Sequence, residues 1–262
     1  IFTMYIHNLN PVIFDFGILS LRWYSLAYLF GIVFGWWYGK KIILLINRRL
    51  QSNFETNLFD EYITYLIFSI IIGGRLGYVL FYNLNYFLTN PVEIFFIWNG
   101  GMSFHGGLLG IIIATIIFSK RKRFDKLILL DVVSCVAPVG IFFGRLANFI
   151  NSELYGKPTD LPWSVTFPIV DSQSRHPSQI YEALLEGVIL FLILNLIIRK
   201  ISYKKGKCSA LFLVFYSVFR IISEIYREPD LHIGYVFNYI SMGTLLSFVM
   251  FCSGIVMYLK IK

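Results

Sequence analysis

Long apolar runs broken by short basic or polar stretches set the pattern of this chain. A helix of about 20 apolar residues crosses a hydrocarbon core of roughly 30 Å, and seven segments meet that requirement: 16–38, 60–82, 104–119, 127–150, 179–198, 209–226 and 236–259. The third is short and follows Asn99-Gly100-Gly101, so part of 83–103 is expected to dip into the membrane or lie along its surface. The pattern predicts an all-α, polytopic integral membrane protein with about seven transmembrane helices, and residues 1–262 read as one transmembrane domain. An acidic stretch precedes the first run, without a basic leader or an A-x-A site, which predicts an uncleaved span rather than a signal peptide. Ile1 is not a normal initiator and predicts a trimmed N-terminus.

Composition narrows the class. With 57% hydrophobic residues, 15% charged residues and a mean hydropathy of +0.68, the chain cannot be a soluble globular, disordered or collagenous protein. Cys135, Cys208 and Cys252 lie far apart with no C-x-x-C spacing, so neither a disulfide framework nor a thiolate metal site is indicated. A net charge of +8 would suit nucleic acid, but the basic residues sit in clusters between spans, where they report orientation instead. No nucleic-acid partner is expected.

Counting lysine and arginine by loop gives four between the first and second spans (Lys40, Lys41, Arg48, Arg49), five between the third and fourth, five between the fifth and sixth, and two after the seventh. These sixteen of the 23 fall on one side, which the positive-inside rule assigns to the cytoplasm. The N-terminus is then outside and the C-terminus cytoplasmic. The other seven, Arg22, Arg75, Arg145, Lys157, Arg175, Arg220 and Arg227, fall in outer loops or the outer halves of spans, as do His7, His105, His176 and His232. A guanidinium at membrane depth is costly and normally faces a polar cavity with a partner. Arg75, Arg145 and Arg220 each sit in one outward-running span, which points to a polar site open to the outer leaflet. The bland alternative is that each arginine snorkels to the headgroups and packs its stem.

The run from Gly144 through Arg145, Asn148, Asn151 and Glu153 to Gly156 is the densest polar stretch attached to an apolar span. On a helix, Arg145 and Asn148 share a face and offer a phosphate-matching fork beside an amide donor, Glu153 can brace the arginine, and Gly156 marks a turn. A simple helix end would explain the glycine but not Arg145. His105, in Phe104-His105-Gly106-Gly107, opens the third span, where the helix N-terminus favours an anion and a neutral imidazole. Capping or an interface role is the commoner use of such a histidine, and no second ligand stands at metal spacing. In Arg175-His176-Pro177-Ser178-Gln179-Ile180-Tyr181-Glu182, Pro177 belongs near a first helical turn. Capping does not explain Glu182 and Glu186, four apart within a span. Arg220, Glu224 and Arg227 form one stripe, readable as a site or as a structural ion pair. Tyr24 belongs to the same polar chamber or to an interfacial aromatic belt, and composition favours the belt.

Together these residues resemble the bacterial prolipoprotein diacylglyceryl transferases over essentially the whole chain. The likeness rests on Trp23-Tyr24, Gly73-Gly74-Arg75-Leu76-Gly77, His105-Gly106-Gly107, the 144–156 run, His176-Pro177-Ser178-Gln179-Ile180-Tyr181-Glu182, and Arg220-x-x-x-Glu224-x-x-Arg227-x-Pro229-Asp230. The 144–156 run resembles the family signature and is the specific part, with one departure: Ala147 stands where the pattern usually has glycine. The resemblance implies a multi-pass enzyme of the bacterial plasma (inner) membrane, its active site toward the outer leaflet. It would move the diacylglyceryl group of phosphatidylglycerol onto the lipobox cysteine of a preprolipoprotein, forming a thioether and releasing glycerol 1-phosphate.

Carried onto this sequence, the family's important positions are Tyr24, His105, Arg145, Asn148, Glu153, Gly156, Arg220 and Glu224; Tyr24 and Gly156 enter on the resemblance alone. The expected roles are His105, Arg145 and Glu153 in catalysis; Arg145 with Asn148, then Arg220 or Arg75, at the phospholipid; and Tyr24, Gly156, Glu224 and Arg227 in support. The chemistry makes matching demands. A thiol with a pKa of about 8.5 needs a base such as His105, and a phosphate-ester leaving group is best met by preorganised arginines. Nothing in the chain calls for a metal or organic cofactor. The rival class is an anion or lipid transporter with an arginine-lined outer cavity, but the exceptional charges cluster at one depth, and Gly-Arg-Leu at 74–76 and 144–146 is too short to claim a repeat.

Overall fold

The computed structural model describes residues 5–15, 17, 20–51, 54–200, 203–229, 234–236 and 239–261. Among them are seven helices long and apolar enough to cross a membrane. In chain order these are α1 (Trp23–Leu50), α2 (Thr56–Tyr82), α4 (Phe104–Lys122), α5 (Lys126–Ile150), a composite span Ser178–Ile198, α8 (Lys207–Tyr226) and α9 (Met242–Leu259). The composite span consists of α6 (Ser178–Glu182), a π-helical turn over Ala183–Ile189 and α7 (Leu190–Ile198). His232 and Asp230 lie outside the described residues.

Six of the predicted spans match to within a few residues at one end or both, and the first needs the largest correction. It was expected over 16–38, but α1 begins at Trp23 because Val12–Asp15 and Ser20–Arg22 (β2 and β3) pair antiparallel ahead of it. Gly17, at φ +80°, makes the turn and donates its N–H to Asp15 Oδ1 at 2.9 Å. The helix then runs past Lys40 and Lys41. Their ammonium groups lie over the Trp36 and Trp37 rings, at 4.6 and 3.8 Å, and Lys40 pairs with Asp60 at 2.6 Å. The seventh span, expected from 236, starts at Met242. Ser241 caps it by accepting the Thr244 N–H at 3.1 Å, after Tyr235–Val236 and Ile240–Ser241 (β6 and β7) have paired.

Helix contacts follow the small residues. α2 packs on α4, α1 on α5 and α8 on α9. A Cβ on Gly110 would stand 2.2 Å from Ser69 O, and one on Gly77 would stand 2.5 Å from the Gly106 Cα. Glycines spaced by four on both α2 and α4 therefore let the two backbones touch, the close-packing device expected where lipid removes the hydrophobic drive between helices. Large apolar side chains such as Leu29, Phe30, Phe68, Leu196 and Phe248 face outward, while Ile46, Phe59, Tyr62, Phe118, Leu129 and Leu194 fill the interior.

The basic end of the bundle is fastened by polar contacts. Asp131, fully buried on α5, accepts from Tyr203 Oη (2.5 Å), the Gly206 and Ser209 N–H groups (2.7 Å each) and Ser209 Oγ (2.6 Å). It thus closes the N-terminus of α8 from a neighbouring helix. Arg49 donates to the carbonyls of Ile198, Arg199 and Lys200 at the end of α7.

At the other end, short strands form a small cap. Tyr5–Ile6 (β1) runs parallel to Val165–Thr166 (β4), which pairs antiparallel with Ser174–Arg175 (β5). The stretch after α2 folds into α3 (Leu84–Thr89) and two 3-10 turns, Pro91–Phe95 and Ile97–Asn99, which expose Leu88, Val92, Phe95 and Trp98. The stretch 83–103 is thus built of short helical turns that leave apolar side chains exposed.

Candidate active site

Three spans bring their charges to one level near the end where α1 begins. Arg145, from the last turns of α5, places Nη1 2.8 Å from Glu182 Oε2 and Nη2 3.1 Å from Glu186 Oε2. Arg220 of α8 holds Glu182 Oε1 at 2.5 Å, lies 3.7 Å from Glu186 Oε1, and pairs closely with Glu224. Glu224 also accepts from Arg227 at 3.0 Å and from Ser241 Oγ at 2.7 Å. Glu182 and Glu186 are completely buried, whereas Arg145 keeps 13% of its side chain accessible. Among the described residues, this network joins three guanidiniums to three carboxylates. Buried ions are tolerated only when paired in this way.

Glu182 and Glu186 were the unassigned part of the sequence pattern. Their i, i+4 spacing within an apolar run was visible, but only the structure gives them their partners. Glu182 ends α6 and Glu186 lies in the π-helical turn that follows it, a local widening that is frequent at functional sites. Glu153, expected to brace Arg145, does something else: it accepts from Asn148 Nδ2 at 3.2 Å and Asn151 Nδ2 at 3.3 Å. The reason is backbone conformation. Ser152 and Leu154 both adopt left-handed φ values, 57° and 54°, and the chain doubles back after α5.

Asn148 Nδ2 also reaches Tyr24 Oη at 3.4 Å, so Tyr24 belongs to this group of side chains as well as lying at the start of α1. Ala147 is buried between Arg145 and Asn148 and does not separate them from these partners.

His105 stands on the first turn of α4. The capping role belongs to Ser103, whose Oγ accepts the Gly106 N–H at 3.2 Å. Both ring nitrogens of His105 are buried without a hydrogen-bond partner among the described residues, and the ring lies within electrostatic reach of Arg220, Glu224 and Arg145. Arg75 is not brought to this group. Its guanidinium donates to the carbonyls of Glu93, Ile94, Phe96, Gly100 and Gly101, at 2.5 to 3.3 Å, and lies 5.0 Å from the Phe87 ring centre. It fastens the surface stretch after α2.

Gly156 has a packing reason. A Cβ there would come within 2.4 Å of His176 O and 2.8 Å of Tyr226 O, because the 151–156 loop passes between the start of α6 and the end of α8. Gly156 N–H donates to His176 O at 3.0 Å, and Arg175 Nη1 donates to Gly156 O at 3.0 Å. Asp171 forms a two-point pair with Arg175, whose hydrogen bonds hold the aspartate below the usual carboxylate range.

A family profile described as prolipoprotein diacylglyceryl transferase matches residues 11–260. The chain belongs to this family. Its relatives include proteins named phosphatidylglycerol–prolipoprotein diacylglyceryl transferase from Rickettsia bellii (49% identical over 255 residues, covering 97% of this chain and 95% of the relative) and Ehrlichia canis (46% over 250 residues, 94% of each). A third, from Rhodospirillum rubrum, is 44% identical over 261 residues, covering 98% of this chain and 94% of its own length. The family match thus spans all seven long helices.

One further residue supports the 151–156 loop. His7, 5% exposed, follows β1, contacts Ser152 Oγ through Nδ1 at 3.2 Å and packs against Phe149 and Phe167 with ring centres 5.2 Å away. Sequence placed His7 only on the outer side. Burial holds its imidazole below the ordinary histidine value. The unfolded chain therefore takes a proton below about pH 6.5 while the native chain does not, and stability falls as pH drops through that range. Thermal unfolding in detergent at pH 7 and pH 5 should show a larger loss for the wild type than for His7→Gln. An equal loss in both proteins would remove His7 from this role.

Proposed function

We propose that this chain transfers the diacylglyceryl group of phosphatidylglycerol to a prolipoprotein within the arginine and glutamate chamber, with His105 as the base. The observation that carries the assignment is His105 itself: a half-buried imidazole whose two ring nitrogens are both buried without a hydrogen-bond partner among the described residues, within electrostatic reach of Arg220 and Arg145. The accepting group is the lipobox cysteine thiol. His105 takes its proton, the sulfur attacks the diacylglyceryl carbon bonded to the phosphate oxygen, the S–C bond forms and the C–O bond breaks. The bonding pair stays with glycerol 1-phosphate. Negative charge on the phosphate grows along this path, and donors aimed at it in a water-poor site lower the barrier.

Arg145 and Arg220 are the donors for that phosphate, with Asn148 beside them. Glu153 orients Asn148, Tyr24 completes that corner, and Glu224 and Arg227 keep Arg220 in place. Gly156 allows the loop to pass, and Arg75 shapes the neighbouring surface. Phosphatidylglycerol and the lipobox segment reach this chamber from the outer leaflet of the bacterial inner membrane, in keeping with the basic residues gathered at the opposite end of the bundle.

Orientation is tested by fusions after residues 50, 123, 165 and 205. Only the fusion after 165 should give periplasmic phosphatase activity, and activity at any of the others would overturn the topology.

Arg145→Ala should abolish transfer from labelled phosphatidylglycerol to a lipobox peptide while insertion is retained, a loss on the order of 3 kcal/mol or more of transition-state stabilisation. Arg145→Lys should recover little, since an ammonium cannot reproduce a two-point fork. An alanine variant keeping more than about a tenth of the wild-type rate would contradict the role.

His105→Gln should still bind phospholipid but turn over about a hundredfold more slowly at neutral pH, with the deficit shrinking as pH approaches the thiol's own value near 8.5. A deficit of equal size across pH 6–9 would make His105 a packing residue instead.

A further inference from the structure

Glu186 stands apart from its neighbour in how it is held. Glu182 bridges both arginines through separate oxygens, at 2.8 Å to Arg145 and 2.5 Å to Arg220. Glu186 has one hydrogen-bonded contact at 3.1 Å to Arg145 and only a long one, 3.7 Å, to Arg220; its Oε1, like Glu182 Oε2, has no hydrogen-bond partner among the described residues, so the difference lies in the weaker hold of Arg220. Its neighbours are three charged groups and a neutral hydroxyl: Arg145 from α5, Arg220 and the Tyr216 hydroxyl from α8, and Glu182 one turn away on its own span. The ionised network is already balanced, three positive groups against three negative. A phosphodiester anion brought to Arg145 adds one negative charge to a buried site, where like charges a few ångströms apart cannot all remain ionised.

We infer that Glu186 is a displaceable stand-in for the lipid phosphate: it occupies one arm of the Arg145 fork and gives that arm up, taking a proton on its carboxylate, as the phosphodiester binds. This rests on the reading of the chamber as the phospholipid site. The charge balance is simple: one proton from solvent offsets one phosphodiester charge, so the network keeps its neutrality. Glu182, held more tightly by two arginines, stays ionised and keeps Arg145 and Arg220 at a fixed separation. Glu186 is in this scheme a positioning residue that acts through Arg145. It also excludes ligands by charge, because a lipid whose headgroup brings no anion to the fork has no means of releasing it.

Coupling to one proton makes the dissociation constant of phosphatidylglycerol rise by up to tenfold for each pH unit over which Glu186 is ionised in the lipid-free protein. The experiment uses the full chain in detergent with short-chain phosphatidylglycerol and no peptide. Calorimetry in two buffers of different ionisation enthalpy should give close to one proton taken up per lipid bound for the wild type and none for Glu186→Gln. The dissociation constant should rise between pH 6 and pH 9 for the wild type and stay flat for Glu186→Gln. Glu186→Asp, which keeps the charge on a shorter stem, should retain both proton uptake and the pH slope, and it serves if the glutamine variant does not fold. Lipid binding by the wild type without proton uptake, or an unchanged slope in Glu186→Gln, would overturn the proposal while leaving the chamber assignment intact. Unimpaired lipid binding by Arg145→Ala would instead remove the chamber assignment on which it rests.

Discussion

A guanidinium inside a hydrocarbon slab has to be met by carboxylates or carbonyl oxygens, and much of this molecule is arranged around meeting that condition for Arg145, Arg220 and Arg75. The first two are neutralised by glutamates from the span Ser178–Ile198 and from α8. Arg75 is satisfied by five backbone carbonyls. The contrast in partners separates the roles. A guanidinium on neutral carbonyls carries its charge without a counter-ion and stays where the backbone puts it, whereas one on carboxylates can exchange an anion for another anion. Only the second arrangement suits a phosphate that must come and go.

Close helix contacts bring the remaining parts to this network. His105 can face the arginines because α4 lies against α2 along Gly73, Gly77, Gly106 and Gly110, where added Cβ atoms would strike backbone. On α5, Gly187 of the neighbouring span sits against Phe142, with room for no Cβ, nearly one turn before Arg145. The 151–156 loop is drawn tight in the same way by Gly156. Small residues therefore set distances, and the charged residues use them; a Cβ at Gly106 or Gly156 would separate groups that it does not touch.

Much of this could be read from sequence because the physics concerned is local. An arginine in an apolar span needs a polar site, an i, i+3 or i, i+4 spacing gives a shared face, and basic loops mark one end of the bundle; Arg145, Asn148, Arg220 and Glu224 were found on those grounds. What sequence did not supply was pairing between distant segments. Glu153 stands eight residues after Arg145 but turns to Asn148 and Asn151, since left-handed backbone at Ser152 and Leu154 redirects it, and neither residue is a glycine that would have signalled the turn. Glu182 and Glu186 were visible as carboxylates without an explanation, and Arg145, about forty residues earlier, supplied one. The start of α1 was missed because Phe16, Ile18, Leu19 and Leu21, ahead of the helix, continue its apolar run in sequence.

The two ends of the bundle treat buried carboxylates in opposite ways. At the basic end, Asp131 is given four donors, from Tyr203, Gly206 and Ser209, and nothing is left for it to bind. At the chamber end, Glu186 Oε1 and both nitrogens of His105 are buried without hydrogen-bond partners. Unsatisfied buried polar atoms cost stability, commonly about 1–3 kcal/mol each, and a fold selected for rigidity alone would have removed them as it did around Asp131. Their retention at one level, beside paired arginines, is what a site requires if its charges are to be completed by a substrate and not by the protein. The well-bonded surroundings of Asp131 supply stability that lets the chamber end remain incomplete.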